Sequence, residues 1–459
     1  MNEQELKGIP ESATLVLASL HPALEHLASI RTVALRRKVP VTGIIHSLYG
    51  TSMVRGFLRL YLATLGQHDA LICSSNAGQL AIRNIFSYTQ ECFKEIGVVL
   101  PAPPIQLPII PLGINVSTFP KKEFASGRQL RVLYLGRLST GSKADLYPLL
   151  IAWRHLQQDG ISATLTIAGD DFERLSEPLR QFSQAIGCAQ SVDVIPNPSR
   201  EVKLHLYHDA DVFVSPSDTL QETFGLTLLE AMASELPIVA SDWSGYRDLV
   251  VHGKTGFLVS TLLPAVGKTS RDDSDGAFPP NVLSGCTAVN LKELESSLRV
   301  LLLDRERRIC YGKDARRLAE EKFDWKIIIR RYEELWDYLA RVPPGDDEHQ
   351  GRLRLDEFSV EHLYGHYATS ILKPDTLIRR VPVPRTPERE SIMAAVANGQ
   401  WKKTIVDVIE GITCGPISVA ELGARIGQST NQILICVGRL SKYGLVEVVS
   451  NPDRGMAGY

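Results

Sequence analysis

Two acidic and two basic side chains carry most of the chemistry this sequence offers. Glu222 and Glu230 fall in Ala210–Val259, ADVFVSPSDTLQETFGLTLLEAMASELPIVASDWSGYRDLVVHGKTGFLV. A buried strand ends at Ser215-Pro216-Ser217, and a loop carries Glu222 to Phe224-Gly225. LTLLEAMA then runs as a helix with Leu226, Leu229 and Ala233 on its apolar face. The N-terminus of such a helix offers backbone N–H groups and a positive dipole end, which suits a diphosphate. Gly225 lets that backbone approach a ligand closely. Glu230 interrupts an otherwise apolar helix, and an unpaired buried carboxylate is costly. A polar partner such as a ribose hydroxyl pair accounts for it. The bland alternative is a surface glutamate on an amphipathic helix, and Glu222 with Phe-Gly in between weighs against it. Arg137 and Lys143 lie in the polar loop after the strand RVLYLG. Either alone would be an ordinary solvated cation, but as a pair behind a strand-ending glycine they point to an anionic ligand.

These residues need a scaffold, and the hydrophobic pattern supplies one. Up to about residue 125, apolar runs at Thr14–Ser19, Val41–His46, Ala70–Ser75 and Ile109–Leu112 read as buried strands. Met53–Leu65 and Ala77–Glu95 read as helices between them. This alternation predicts a parallel α/β sheet. A second cycle starts at Arg131: RVLYLG, a helix at Leu146–Gln158, TLTIAG, Val192–Ile195, ADVFVSPS, the helix from Gly225, and PIVAS. A ligand would sit beyond the carboxyl ends of its strands. Helices follow at Leu291–Leu303, Glu306–Glu321 and Trp325–Ala340.

The segment around Glu222 and Glu230 resembles the donor-binding half of the family 4 retaining glycosyltransferases (GT-B fold, glycosyl transferases group 1). Two glutamates separated by seven residues are that family's hallmark. The resemblance implies that Glu222 contacts the hydroxyls of a donor sugar and Glu230 the ribose of its nucleotide. The backbone at Phe224, Gly225 and Leu226 would hold the distal phosphate. VLYLGRLSTGSKADLYPLLIAW resembles the family's strand–Gly-Arg–loop–Lys–helix unit, so Arg137 and Lys143 would neutralise the leaving diphosphate. Two cations there would stabilise charge that develops as the glycosidic bond breaks. IPLGINVSTFP resembles the interdomain Pro–x–Gly–Val–Asp–x–x–x–Phe pattern, with Asn115 where aspartate is usual. In VPVTGIIHSLYG, His46 ends a strand where the family often has a histidine touching the transferred sugar; a strand-end histidine satisfied by backbone is the alternative.

Composition bounds the remainder. The chain has 459 residues, 44% hydrophobic and 22% charged, as in an ordinary globular protein of more than one domain. A formal net charge of −2 provides no global attraction to nucleic acid or acidic lipid. The seven cysteines are scattered without a CxxC pair, which disfavours a zinc site or disulfide framework and fits a reducing cytoplasm. MNEQELKGIPES does not read as a signal peptide, and no run is long and apolar enough to span a bilayer. Peripheral membrane contact stays open. Asp273-Ser274-Asp275 imitates an Asp-x-Asp metal motif, but it lies in the polar insertion 263–283 rather than after a buried strand. No metal cofactor is expected; the co-substrate would be a nucleoside diphosphate sugar.

The expected organisation is α/β: a GT-B pair of doubly wound Rossmann-like domains plus a small α+β unit. Residues 1–125 form an acceptor-side domain that reads as incomplete, since no glycine pair precedes His46 and the chain enters at a late strand. Residues 126–341 form the nucleotide-sugar domain with closing helices. Residues 342–389, rich in proline and charge, read as a linker. Residues 390–459 read as a winged-helix-like module: Trp401–Glu410, then Ser418–Ile426 with a capping box from Ser418 and Glu421, then Thr430–Tyr443 and the strand LVEVVS. Its third helix offers Asn431, Gln432, Arg439 and Lys442, offset by Glu421 and Glu447, which is no clear basic stripe. Protein docking or self-association is therefore favoured over DNA binding. The function expected is retaining transfer of a sugar from a nucleoside diphosphate sugar to an acceptor hydroxyl; the acceptor is unidentified. The rival is a catalytically inactive scaffold of the same fold acting through the C-terminal module.

Overall fold

The computed structural model describes residues 17–19, 24–31, 39–45, 48, 56–61, 63, 65–119, 121–122, 127–266, 283, 285–343, 360–382, 387–397, 401–413 and 415–449. His46, Asp273 and Asp275 lie outside the described residues.

The α/β arrangement with parallel sheets expected from the alternation is present. In the N-terminal part, strands β1 (Leu17–Ser19), β2 (Val41–Ile44) and β3 (Ala70–Ile72) form a parallel sheet in that order. The run Ile109–Leu112 joins it only through an isolated parallel bridge, Cys73 to Ile109. Pro108 precedes this run and Pro111 interrupts it, and neither has an N–H to extend a ladder. The helix Asn76–Glu95 starts at Ser75, whose hydroxyl accepts from the Gly78 N–H at 3.0 Å.

The second domain carries a six-stranded parallel sheet: β4 (Leu130–Leu135), β5 (Ala163–Gly169), β6 (Val192–Pro196), β7 (Val212–Ser215), β8 (Ile238–Ser241) and β9 (Gly256–Val259). Their spatial order is β6-β5-β4-β7-β8-β9. β7 and β8 are buried along their full length, as expected of strands covered by helices on both faces. The order reverses between β4 and β7, and these two pair only at Val132–Val212 and Leu133–Phe213. Their carboxyl ends are therefore free to part and leave a crevice at the switch point. The helix Trp325–Arg341 returns to the N-terminal domain, where Ile328 packs with Ile72 and Ile110.

A smaller sheet extends this domain. β10 (Thr261–Pro264) pairs antiparallel with β11 (Ala288–Val289) and parallel with β12 (Ser370–Leu372). β13 (Leu377–Arg380) pairs with β14 (Ile417–Ser418) and β15 (Val446–Val448). Residues 360–382 fall inside the span expected as a linker, yet they supply the helix Val360–Tyr364 and two strands. Only Ile378 of β13 is buried, so no alternating apolar pattern marks it. The last unit holds the helices Pro387–Val396, Lys402–Gly411, Val419–Ile426 and Thr430–Lys442. The Ser418–Glu421 capping box forms with both of its bonds.

Candidate functional site

β4 ends at Leu135 and β7 at Ser215, so the loops that follow face each other across the switch point. The first carries Arg137 and Lys143; the second carries Glu222. The Lys143 ammonium pairs with Glu222 Oε2, and both side chains are largely buried. Glu222 also accepts from the Phe224 N–H at 3.3 Å and from the Tyr246 hydroxyl at 3.4 Å. Burial alone would raise the Glu222 carboxyl; Lys143 and the two donated bonds outweigh it and hold it below the usual glutamate value. Burial would likewise pull Lys143 down, and Glu222 reverses the sign. Both groups are charged at neutral pH. Arg137 stands at the exposed mouth, with weak contacts at 3.4 Å to the Ser142 carbonyl and the Gln221 side chain. It is placed to meet an anion from solvent.

The helix Leu226–Ala233 begins beside this pair. Gly225 is its N-cap at φ 112° and ψ 64°, a left-handed conformation that favours glycine, and no side chain caps the first turn. Space enforces the same choice: a Cβ on Gly225 would lie 2.5 Å from Tyr246 Cε1. Tyr246 thus reads both ends of the loop. Its ring fills the space Gly225 leaves, and its hydroxyl joins Glu222 and, at 2.8 Å, Ser215. Phe224 is 2% exposed and packs edge-on against Phe323, so its backbone rather than its ring serves a ligand.

One helical turn on, Leu226 and Glu230 open onto a cavity of about 340 Å³ with Asn115, Lys203, Tyr207 and Trp325 among its walls. The Tyr207 hydroxyl donates to Glu230 Oε2 at 2.7 Å. Burial raises the Glu230 carboxyl, and the Tyr207 bond and the positive charge of Lys203 offset this only in part. An acceptor-rich, partly desolvated carboxylate in a cavity of mixed apolar and polar walls is suited to a pair of hydroxyls. Leu226 is 47% exposed at the threshold, unusual for a leucine and available for a planar ligand.

The N-terminal domain closes on the same loop. Ser75 Oγ donates to the Thr223 carbonyl at 2.6 Å, and the Asn76 N–H and side chain both donate to Asp248. Of the residues expected at the site, Lys143, Glu222, Phe224 and Gly225 meet directly, Arg137 is at the rim, and Leu226 with Glu230 occupies the adjoining cavity. His46 is outside the described residues. Tyr246 and Tyr207 were not anticipated: each acts through a hydroxyl whose partner is distant in sequence, and no motif announces it. Among the described residues there is no group of three or more His, Cys, Asp or Glu that could hold a metal ion. No helix of the described residues is long and apolar enough to cross a membrane.

Residues 115–262 match the family described as Glycosyl transferases group 1. All the residues of the pair, the loop and the adjoining helix lie within that stretch. The chain is 38% identical over 128 residues to the sulfoquinovosyl transferase SQD2 of Arabidopsis thaliana, covering 27% of this chain and 19% of that protein. It is 32% identical over 187 residues to the putative colanic acid biosynthesis glycosyltransferase WcaL of Salmonella typhimurium, covering 38% and 44%. With the D-inositol 3-phosphate glycosyltransferase of Thermobispora bispora it shares 27% identity over 255 residues, 52% of this chain and 53% of that one. The matched stretch therefore spans about half or less of these curated relatives. Among solved structures, sucrose-phosphate synthase from Thermosynechococcus elongatus is similar at 20% identity and a TM-score of 0.47, covering 68% of this chain and 70% of that one. HepE from Anabaena, in complex with UDP and glucose, is similar at 17% identity and a TM-score of 0.49, covering 70% and 78%.

Proposed function

We propose that this protein is a retaining glycosyltransferase that moves a sugar from a nucleoside diphosphate sugar to an acceptor hydroxyl. The observation that carries the reading is the buried Lys143–Glu222 pair at the foot of a helix whose first turn no side chain caps. The match of residues 115–262 to the group 1 family supports it. Glu222 orients the sugar through its hydroxyls. The N–H groups at Phe224 to Leu226 and the cations Arg137 and Lys143 take the diphosphate, whose negative charge grows as the bond to the anomeric carbon breaks. Glu230 anchors the ribose in its cavity. His46 belongs to the same proposal as the residue of the opposite wall near the reacting face of the sugar. No metal is required, since two cations and a helix dipole serve the phosphates. The domain division is part of the reading: 1–125 on the acceptor side, 126–341 on the donor side, and a winged-helix-like unit over 390–459. A reducing, cytoplasmic setting belongs to the same proposal, on the scattered cysteines without a CxxC pair.

The test is release of nucleoside diphosphate from UDP- and GDP-sugars, read beside thermal stabilisation by the same compounds. Glu222→Ala and Lys143→Ala are expected to lower turnover by about 10²-fold or more while the chain stays folded. Full activity in both variants defeats the assignment. Retention is read separately, from the anomeric configuration of the product.

One observation favours the rival scaffold reading. The segment Val360–Tyr367 ties the domains together: Tyr364 donates to the Leu48 carbonyl, His366 bonds the Ala77 carbonyl at 2.8 Å, and Arg247 reaches the His366 carbonyl. Stabilisation by nucleotide sugars without turnover would favour that reading.

A further inference from the structure

The last turn of the C-terminal unit reaches into the donor-binding domain. Lys442 is 1% exposed, and its ammonium pairs with Asp218, which is fully buried. The same ammonium lies 3.5 Å from Asp145 Oδ2, and the next residue, Tyr443, donates its hydroxyl to that oxygen at 2.9 Å. The two carboxylates belong to the two loops of the site. Asp145 follows Lys143 by two residues, and Asp218 opens the turn that leads to Glu222. The loops are also joined to each other: the Asp145 N–H donates to Asp218 at 3.4 Å, and Ser217 Oγ donates to the Lys143 carbonyl at 3.0 Å.

We propose that Lys442 is a positioning residue for the donor site: its ammonium draws Asp145 and Asp218 together and so fixes the spacing of the loops that present Lys143 and Glu222. The proposal rests on the glycosyltransferase reading. Two buried carboxylates without a cation between them repel, and each must be solvated or protonated. Burial already pushes Asp218 up to about 7 with Lys442 in place. An apolar contact would seal this interface as well as an ion pair does, because desolvation cancels much of the Coulomb gain. What a charge between two loops adds is a defined separation. The C-terminal unit thereby becomes part of the active site's frame.

The test uses the full chain and the UDP- or GDP-sugar that gives most turnover. Lys442→Met is expected to raise the donor KM for nucleoside diphosphate release about tenfold with kcat within threefold of wild type, and Lys442→Arg to return the KM to within threefold of wild type. Leu440→Ala, a fully buried apolar position on the same helix, is the control. It should lower the melting temperature and leave the donor KM alone. If Lys442→Met fails to fold, the double variant Lys442→Met with Asp218→Asn removes the charge imbalance and carries the test, with the same rise expected. A donor KM within twofold of wild type, or an equal shift in the Leu440→Ala control, overturns the proposal. A wild-type chain that neither binds nor turns over any nucleotide sugar overturns this proposal and the functional reading together; an active wild type beside an unaffected variant overturns this proposal alone.

Discussion

At the scale of single residues, the loop from Glu222 to Leu226 is fixed by one absent side chain and one ion pair. Gly225→Ala would place a methyl against the Tyr246 ring and force alanine into a left-handed conformation. The strain costs about 1–3 kcal/mol, so the melting temperature should drop by several degrees and donor affinity should weaken as the helix start moves off its ligand. An unchanged melting temperature would show that the loop relaxes freely. The Lys143–Glu222 pair sets a pH dependence. Because the folded Glu222 carboxyl sits below its usual value, the stability it contributes is present above the ordinary glutamate range and lost as pH falls through it. Lys143, raised, keeps its contribution until pH exceeds the ordinary lysine range. Urea titrations across acidic pH should therefore show a stability slope that Glu222→Gln flattens.

At the scale of elements, the strap Val360–Tyr367 is the piece whose strength depends most on protonation. His366 must donate from Nε2 to reach the Ala77 carbonyl, which leaves Nδ1 bare, buried and unpartnered among the described residues, with Arg247 nearby. Burial, and then the neighbouring arginine, hold the imidazole at about 4 against the backbone bond that favours its charged form. A histidine lowered in this way contributes stability above its usual value near 6.5, lost as pH falls toward 4. The loss is up to about 3 kcal/mol. His366→Gln keeps a donor for Ala77 without titrating, so it should shrink the midpoint shift between neutral and mildly acid pH; a shift of unchanged size would place the titrating group elsewhere. Nothing in the sequence announced this strap. The strands of the second domain were legible because β7 and β8 are continuous apolar runs buried along their full length. β12 and β13 bury one side chain each and the strap buries Leu363, Tyr364 and Tyr367, too short a set to show a period among the charges around them, so composition resembled a linker. Lys143 and Glu222 were legible as site residues from their loops and the family resemblance, but not as partners of each other; Tyr246 and Tyr207, which hold the two glutamates, were not legible at all.

At the scale of the whole molecule, the C-terminal unit is built onto the second domain rather than tethered beside it. The helix Thr430–Lys442 crosses the β10–β11 sheet at Gly438, where a Cβ would run into the Cys286 carbonyl and lie 2.6 Å from Pro264 Cγ. Lys442 and Arg439, the two basic residues of its last turn, face inward at that junction: the first pairs with Asp218, and the second donates to the Ala395 carbonyl at 3.2 Å. A DNA-reading helix would present such cations to phosphate, and here Lys442 is spent on the interior. From sequence the same residues counted as surface charge, because their partners lie far upstream in the chain. Close backbone approach makes the junction testable. Gly438→Leu sets a side chain against a backbone carbonyl that cannot step aside cheaply, a larger insult than the usual 1–3 kcal/mol of overpacking. The helix should lift, exposing Cys286, which is 1% exposed with its thiol pushed up to about 12 by burial. Maleimide labelling at Cys286, mapped by peptide mass spectrometry, should then be at least about tenfold faster than in the wild type, since thiolate fraction and access both rise. Equal labelling rates in the two proteins would mean that the unit docks without the close approach at Gly438, and the interface would lose its claim to a fixed geometry.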